Sequence, residues 1–253
     1  MKFSFLTLFP QVIVPYFESS IMARAIKNGI IEIETINIRD FATNRYKKVD
    51  SKLISGGAGM LLEPYTLYLA LQKVLDSRII FLSPVGAKFS NLDSKRLAKY
   101  SHISLVCGRY EGFDERIIEM FGDEIFSVGD FILSGGELAA LCMADSIARN
   151  LDSVLGNMES LQGESFEYYN LESKKSRKDS KKIESKNIES NPHLTPQKKL
   201  LEAPNFTKCK NFDEKFENFK VISAFLKGNH ATITDLKLQM SKMKTQYFRP
   251  DLI

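Results

Sequence analysis

The sequence predicts an α/β protein with a largely parallel sheet, followed by a small, mainly helical unit. Three observations carry that expectation. Short β-branched or aromatic runs end in glycine-bearing loops and alternate with helical patterns, as strand–crossover–strand units do. The chain has 253 residues, enough to bury a sizeable core as one large domain or two modest ones. Residues 172–190, ESKKSRKDSKKIESKNIES, hold five serines and eleven charges, with too little apolar surface to offset the entropy of ordering them. They read as the centre of a largely flexible linker, 161–199, between a first domain over 1–160 and a second over 200–253.

The elements follow in order. Phe3 to Phe9 reads as a first strand. The next residues, broken by Pro10, Gln11 and Pro15, read as a turn and not as the continuous apolar core of a signal peptide. Phe17 to Lys27 carries Ile21, Ala25 and Ile26 at helical spacing and stops at Asn28-Gly29, a C-cap signal. Ile31 to Ile38 alternates with one slip of phase, which predicts a strand with a bulge. Arg78 to Leu82 and Ile103 to Cys107 read as buried strands that deliver Ser83-Pro84-Val85-Gly86 and Gly108 at their carboxyl ends. A helix apolar on most faces is expected from Gly136 through Arg149. Near the end of the chain, Leu236, Met240, Met243 and Tyr247 recur at helical spacing over Ala231 to Tyr247.

Composition narrows the function classes. Lys plus Arg is 35 and Asp plus Glu is 31, a net charge of +4 that selects no partner by itself. Its distribution is informative: residues 1–171 carry 17 basic and 21 acidic side chains, 172–190 carry 7 and 4, and 191–253 carry 11 and 6. The basic charge is concentrated in the last third. Three cysteines, Cys107, Cys142 and Cys209, are too few and too scattered for a disulfide framework or a CxxC metal site, so a reducing, cytoplasmic setting is expected. No run approaches the ~18 apolar residues of a membrane span.

Three glycine-bearing runs stand out: GGAGM at 56–60, CGRYEGFDER at 107–116 and SVGDFILSGGE at 127–137. None is a GxxxxGK[ST] phosphate loop or a strand-bound GxGxxG. They read either as tight turns or as a ligand site, since ligands of open α/β sheets bind beyond the carboxyl ends of strands. Glycine lets backbone N–H and C=O groups approach a ligand closely. Arg109, Glu111, Asp114, Glu115 and Arg116 crowd the second run; Asp114 and Glu115 equally suit a helix start. On these residues alone, an enzyme binding an adenine-containing cofactor and a non-catalytic RNA-binding module both remain open.

These runs, with LFP (8–10), RAIKNG (24–29), RDF (39–41), VD (49–50), LSP-x-G (82–86), DSIAR (145–149), GNHA (228–231) and RPDL (249–252), resemble the bacterial tRNA (guanine-N1)-methyltransferases of the TrmD type, SPOUT class. The likeness is close to continuous over 1–166 and looser over 200–253. It implies a sheet whose C-terminal part is tied in a trefoil knot, which sequence reasoning alone would not propose because knots are almost absent from folds. It also implies a homodimer, S-adenosylmethionine as methyl donor, magnesium dependence, and N1 of guanosine 37, just 3′ of the anticodon of tRNA, as target. A SPOUT enzyme with another RNA target is the alternative.

Carried over by matching motif, the donor site comprises Leu82, Ser83, Pro84 and Gly86; Gly108, Tyr110 and Glu111; and Val128, Gly129, Asp130, Phe131, Ile132 and Leu133 with Gly135 and Gly136. Removing the N1 proton needs a base, and the charge growing on O6 needs a cation. The resemblance assigns the cation to Arg149. The base falls in Gly163-Glu164-Ser165-Phe166, where Glu164 stands in place of the family's aspartate and is supplied by the partner subunit, with Glu111 assisting; Glu159 and Glu167 are the alternatives. Substrate contacts are expected from Asp50, Gly59, Glu202, Asn205, Phe206 and Lys208. The last four lie in LLEAPNFTKCK, ending at Lys210, and replace the family's Asp, His, Tyr and Arg. Ser55, Ala58 and Phe131 are further departures. Lys237, Lys242 and Lys244 read as phosphate contacts or as the wet face of the last helix, and His230 as a helix start or an RNA contact.

Overall fold

The computed structural model describes residues 1–53, 59–156, 164–168, 199–204, 223–226 and 229–252. The expected linker core, Asn205, Phe206, Lys208, Glu159 and most of GGAGM lie outside the described residues. The chain divides into two compact units, Met1–Met158 and Glu159–Ile253.

The first unit is built on five parallel strands in the order β2-β1-β6-β5-β7. Here β1 is Lys2–Thr7, β2 Glu32–Asn37, β5 Arg78–Lys88, β6 His102–Cys107 and β7 Glu124–Ser127. Central strand β1 buries Phe3, Phe5 and Leu6 completely, the near-continuous apolar pattern of a strand covered on both faces. One face packs against α1 (Pro10–Phe17), α2 (Ser20–Lys27), α4 (Asn91–Leu97) and α6 (Glu137–Ala148), the other against α3 (Pro64–Leu71) and α5 (Glu115–Phe121). A hairpin of β3 (Asp50–Lys52) and β4 (Met60–Leu62) stands beside the sheet.

Several expectations are corrected. The turn expected after the first strand is α1: Pro10 sits at the first helical position, where its missing N–H is not needed, and Ile13 and Phe17 anchor the helix in the core. The helix expected from Phe17 starts at Ser20 and buries Met22 and Ala25, leaving Ile26 37% exposed. Its C-cap is as expected, with Gly29 at φ +70°. Strand β2 pairs with β1 in unbroken register from Glu32 to Asn37, with no bulge. The phase slip arises because the strand is covered on both faces: Ile31 and Ile33 pack into the core with α1 and α2, and Ile36 and Ile38 into the core with α3, Ile38 from a 3-10 turn over Ile38–Phe41. The bulge is in β5 instead, where register shifts between Leu82 and Ala87, so the segment read as a terminal loop is an excursion within a long strand.

At the amino ends of β5 and β7, Glu124 takes hydrogen bonds from Arg78 and Arg96, both 3.0 Å. Burial pushes its carboxyl up, but those two guanidinium groups bring it below the usual range. Glu34 is likewise lowered, by hydrogen bonds from Lys2 and Ser4. A lowered folded-state pKa adds stability that is present above the unfolded value, about 4.3 for glutamate, and is lost as pH falls through the folded value. The thermal midpoint should therefore drop below pH ~4.3, and Glu124→Gln should flatten that acid limb in a calorimetric pH series. Identical limbs in the two proteins would remove Glu124 from the linkage.

In the second unit, β8 (Glu167–Tyr168) pairs with β9 (Lys199–Leu200), and a 19-residue helix spans His230–Phe248. Along the apolar stripe of that helix Leu236 and Met240 are half-buried, Met243 is 70% and Tyr247 80% exposed, and Ser241 and Thr245 are buried. Their hydroxyls bond the backbone of Leu201, Ser241 donating to its carbonyl and Thr245 accepting from its N–H. Here hydrogen bonding to an adjacent chain segment, not apolarity, selects the packed face.

Candidate active site

A cavity of about 230 Å³ opens where β5, β6 and β7 end. From the β5 bulge it receives Leu82, Ser83 and Pro84; from the segment after β6, Gly108, Tyr110 and Glu111; from the segment after β7, Val128, Gly129, Phe131, Ile132, Leu133, Gly135 and Gly136. Two of the expected donor residues, Gly86 and Asp130, do not line this cavity. Gly86 packs the bulge on β7, since an added Cβ would stand 2.7 Å from the Ile125 and Phe126 backbone. Asp130 points to solvent and pairs with Lys88 at 3.1 Å.

The second segment is held in a demanding shape. Gly112 donates to the Arg109 carbonyl to close a tight turn, Tyr110 has φ +60° and Gly112 φ +105°. A left-handed tyrosine costs about 1–2 kcal/mol and persists because the segment is clipped to β4: Glu111 N–H donates to Met60 O (2.9 Å), and Leu62 N–H to Gly112 O (3.2 Å). The Glu111 side chain lies over Gly59, where an added Cβ would come within 2.6 Å of Oε1. Asp50, opposite Leu62 in the hairpin, belongs to the same clip. Asp114 proves to be the N-cap of α5, accepting from Arg116 N–H, so the helix-start reading holds for it.

The third segment returns to the second. Gly136 N–H donates to Gly108 O at 2.9 Å, and a Cβ on Gly136 would stand 2.8 Å from Cys107 Cα. Beneath this contact lies a charge pair to which sequence analysis gave no role. Glu137, 1% exposed, accepts from Thr7 Oγ1 (2.7 Å) and Arg109 Nε (3.2 Å), with Arg109 Nη2 2.8 Å from its other oxygen. Arg109 also donates to Ser134 O and lies over the Phe9 ring at 4.3 Å. A lone acid in an otherwise apolar helix start was the available signal. Removing one member of a buried pair costs about 3–5 kcal/mol because the other charge is stranded. Glu137→Ala should lose that much stability and several degrees of thermal midpoint; a midpoint within a degree of wild type would show that the pair is not coupled to folding. Cys107, buried beneath the pocket, is kept as a thiol because burial pushes its pKa up.

The walls suit a nucleoside that carries no phosphate. They are backbone faces of glycine with Leu82, Val128, Leu133 and Phe131 between them, and Arg109, the cation among the lining residues, is already engaged by Glu137 and Ser134. Glu111 leaves a carboxylate at the rim, which favours a cationic ligand. Among the described residues no three or more His, Cys, Asp or Glu side chains converge to hold a metal. Arg149 caps α6 at its far end, and thirteen steps at about 1.5 Å put it ~20 Å along the axis from Gly136. It does not line this pocket. Glu164 belongs to the second unit, as does Glu202, whose N–H donates to Ser165 Oγ and whose carbonyl accepts from Lys244. His230 opens the long helix behind its Asn229 cap; Lys237 and Lys242 are exposed.

Fold and pocket together define an α/β protein with a ligand-sized cavity beyond the carboxyl ends of a parallel sheet, where open α/β sheets bind their ligands. The chain matches the family described as tRNA (Guanine-1)-methyltransferase TrmD over residues 1–189 and 182–253, and it belongs to that family. It is 48% identical to the tRNA (guanine-N(1)-)-methyltransferase of Helicobacter hepaticus over 252 residues, all of this chain and 92% of the relative. It is 48% identical to that of Campylobacter curvus over all of this chain and 94% of the relative, and 46% to that of Helicobacter pylori strain J99 over all of this chain and 97% of the relative. No described helix is long and apolar enough to cross a membrane.

Proposed function

We propose that this chain methylates N1 of guanosine 37 of tRNA, using S-adenosylmethionine bound in the three-segment pocket. The observation that carries the reading is the match of the whole chain to relatives bearing that name at 46–48% identity, and the phosphate-free, anion-rimmed pocket supports it. When bound, the donor supplies an electrophilic methyl group on a sulfonium. The protein's part is to hold guanine in line with that methyl, accept the N1 proton on the Glu164 carboxylate, and place the Arg149 guanidinium against O6, where negative charge develops. Glu111, braced over Gly59, assists from the pocket wall. Asp50 and Gly59 on the clipped hairpin contact substrate, as do Glu202, Asn205, Phe206 and Lys208 in the second unit. The return of the third segment onto Gly108 supports the trefoil threading. The setting is the cytoplasm.

The enzyme acts as a homodimer. Val12 and Tyr16 on α1 are 38% and 39% exposed, Leu138 on α6 is 54% exposed and Cys142 one turn on is exposed. The two helices are joined by a Tyr16–Asp145 hydrogen bond of 2.6 Å. These exposed apolar side chains on two joined helices support this side of the unit as the dimer face. Leu138→Glu should turn a dimer into a monomer by light scattering; an unchanged mass would exclude this face. The function itself is tested by incubating the protein with labelled S-adenosylmethionine and tRNA, then mapping the modified base. Label at N1 of guanosine 37 is expected; label at another base would leave a SPOUT enzyme with a different target.

A further inference from the structure

We infer that residues 43–48, on the first unit, form a second tRNA-contact surface that grips the backbone and stacks an unpaired base of the anticodon loop. The inference rests on the tRNA reading above and deepens it.

Residues 42–48 read ATNRYKK, three cations and no acid, inside residues 1–171 where acids outnumber bases 21 to 17. Every residue from 43 to 48 is exposed, and Tyr46 is 84% exposed. The Arg45 guanidinium lies over the Tyr46 ring at 5.9 Å. Among the described residues no carboxylate pairs with Arg45 or Lys48. A flat ring beside unpaired cations is the chemistry that receives a splayed base and its phosphates.

The surface is preformed. Asn44 brackets Lys48, accepting from its N–H at 2.8 Å and donating to its carbonyl at 2.7 Å. Lys47, at φ +51°, spends its ammonium on the carbonyls of Ala42 and Asp40, while Arg39 holds the Lys47 carbonyl at 2.9 Å. Lys47 is thus a structural cation; Arg45 and Lys48 are left for a ligand. The loop also points toward the chemistry. Two residues beyond Lys48, Asp50 pairs with Leu62, whose N–H bonds Gly112 in the pocket wall. On strand spacings, Lys48 lies within ~15 Å of that wall, a span of a few nucleotides.

The experiment measures tRNA binding by wild type and variants over a salt series, together with steady-state methylation and S-adenosylmethionine affinity. Arg45→Ala/Lys48→Ala should reduce the slope of log K against log salt by about 1.5, at ~0.7–0.9 per phosphate contact. It should raise KM for tRNA about tenfold with kcat within about twofold, and leave donor affinity unchanged. Tyr46→Ala should weaken tRNA binding by about tenfold without changing the slope, and Tyr46→Phe should restore it. An unchanged slope and KM in the double variant overturn the inference while wild-type methylation of tRNA keeps the proposed function standing. Wild-type binding without methylation sinks that function but, with the slope loss, not this surface. Absence of any tRNA binding sinks both. Loss of affinity for phosphatidylserine vesicles with none for tRNA would make the loop a lipid contact and overturn the inference.

Discussion

Glu164→Gln should slow methyl transfer in a single turnover by about 10²–10⁴, the usual worth of a positioned general base, while S-adenosylmethionine binds as before. Glutamine has the size of the native residue and cannot accept the N1 proton, so the loss isolates proton transfer. Glu164→Asp restores the carboxylate one methylene shorter, the length typical of the family, and should recover most of the rate. The local backbone explains why this position can be exacting: Phe166, two residues on, has φ +73°, its N–H donates to Leu200 O, and its ring lies 6.0 Å from the Arg249 guanidinium. If Glu164→Gln methylated normally while Glu159→Gln did not, the base would be Glu159.

Much of the scaffold was legible in the residues, because burial writes itself into apolar runs. The helix through α6 was read from Gly136 to Arg149 and lies at Glu137–Ala148, and β6 was read within a residue of its bounds. What escaped reading had a tertiary cause each time. Pro10 and Pro15 looked like a turn because proline's cost is local, whereas the anchoring of Ile13 and Phe17 in the core is not. The burial of Ser241 and Thr245 has no signal in their own helix, because it comes from bonds to Leu201, 40 or more residues away. At the site, individual loops announced themselves by glycine, and their convergence on one cavity came from family resemblance. The Arg109–Glu137 pair joins residues 28 apart and has no local signature beyond an acid where the helix is otherwise apolar. Gly86 has a packing reason that its motif does not reveal: it seats the bulge of one strand on its neighbour.

Arg149→Ala should cost about 10²–10³ in the methyl-transfer step, the range for losing one group that meets charge only in the transition state, with donor affinity kept. Its position makes a sharper demand. The pocket lies at the amino end of α6 and Arg149 at the other, ~20 Å away along the axis, beyond the reach of one side chain. In the proposed homodimer, a two-fold axis that brings opposite helix ends together would carry this arginine to the pocket of the second subunit. Mixing subunits tests this. Leu133→Arg fills a pocket with a cation and leaves Arg149 intact; Arg149→Ala leaves the pocket intact; each homodimer should be inactive. In an equal co-expressed mixture half the dimers are hybrids, and each hybrid pairs one sound pocket with one sound arginine across the interface, so about a quarter of wild-type activity should return. If Arg149 served its own pocket, the sound pocket of every hybrid would sit on the subunit that lacks the arginine, and the mixture would stay as inactive as its parents.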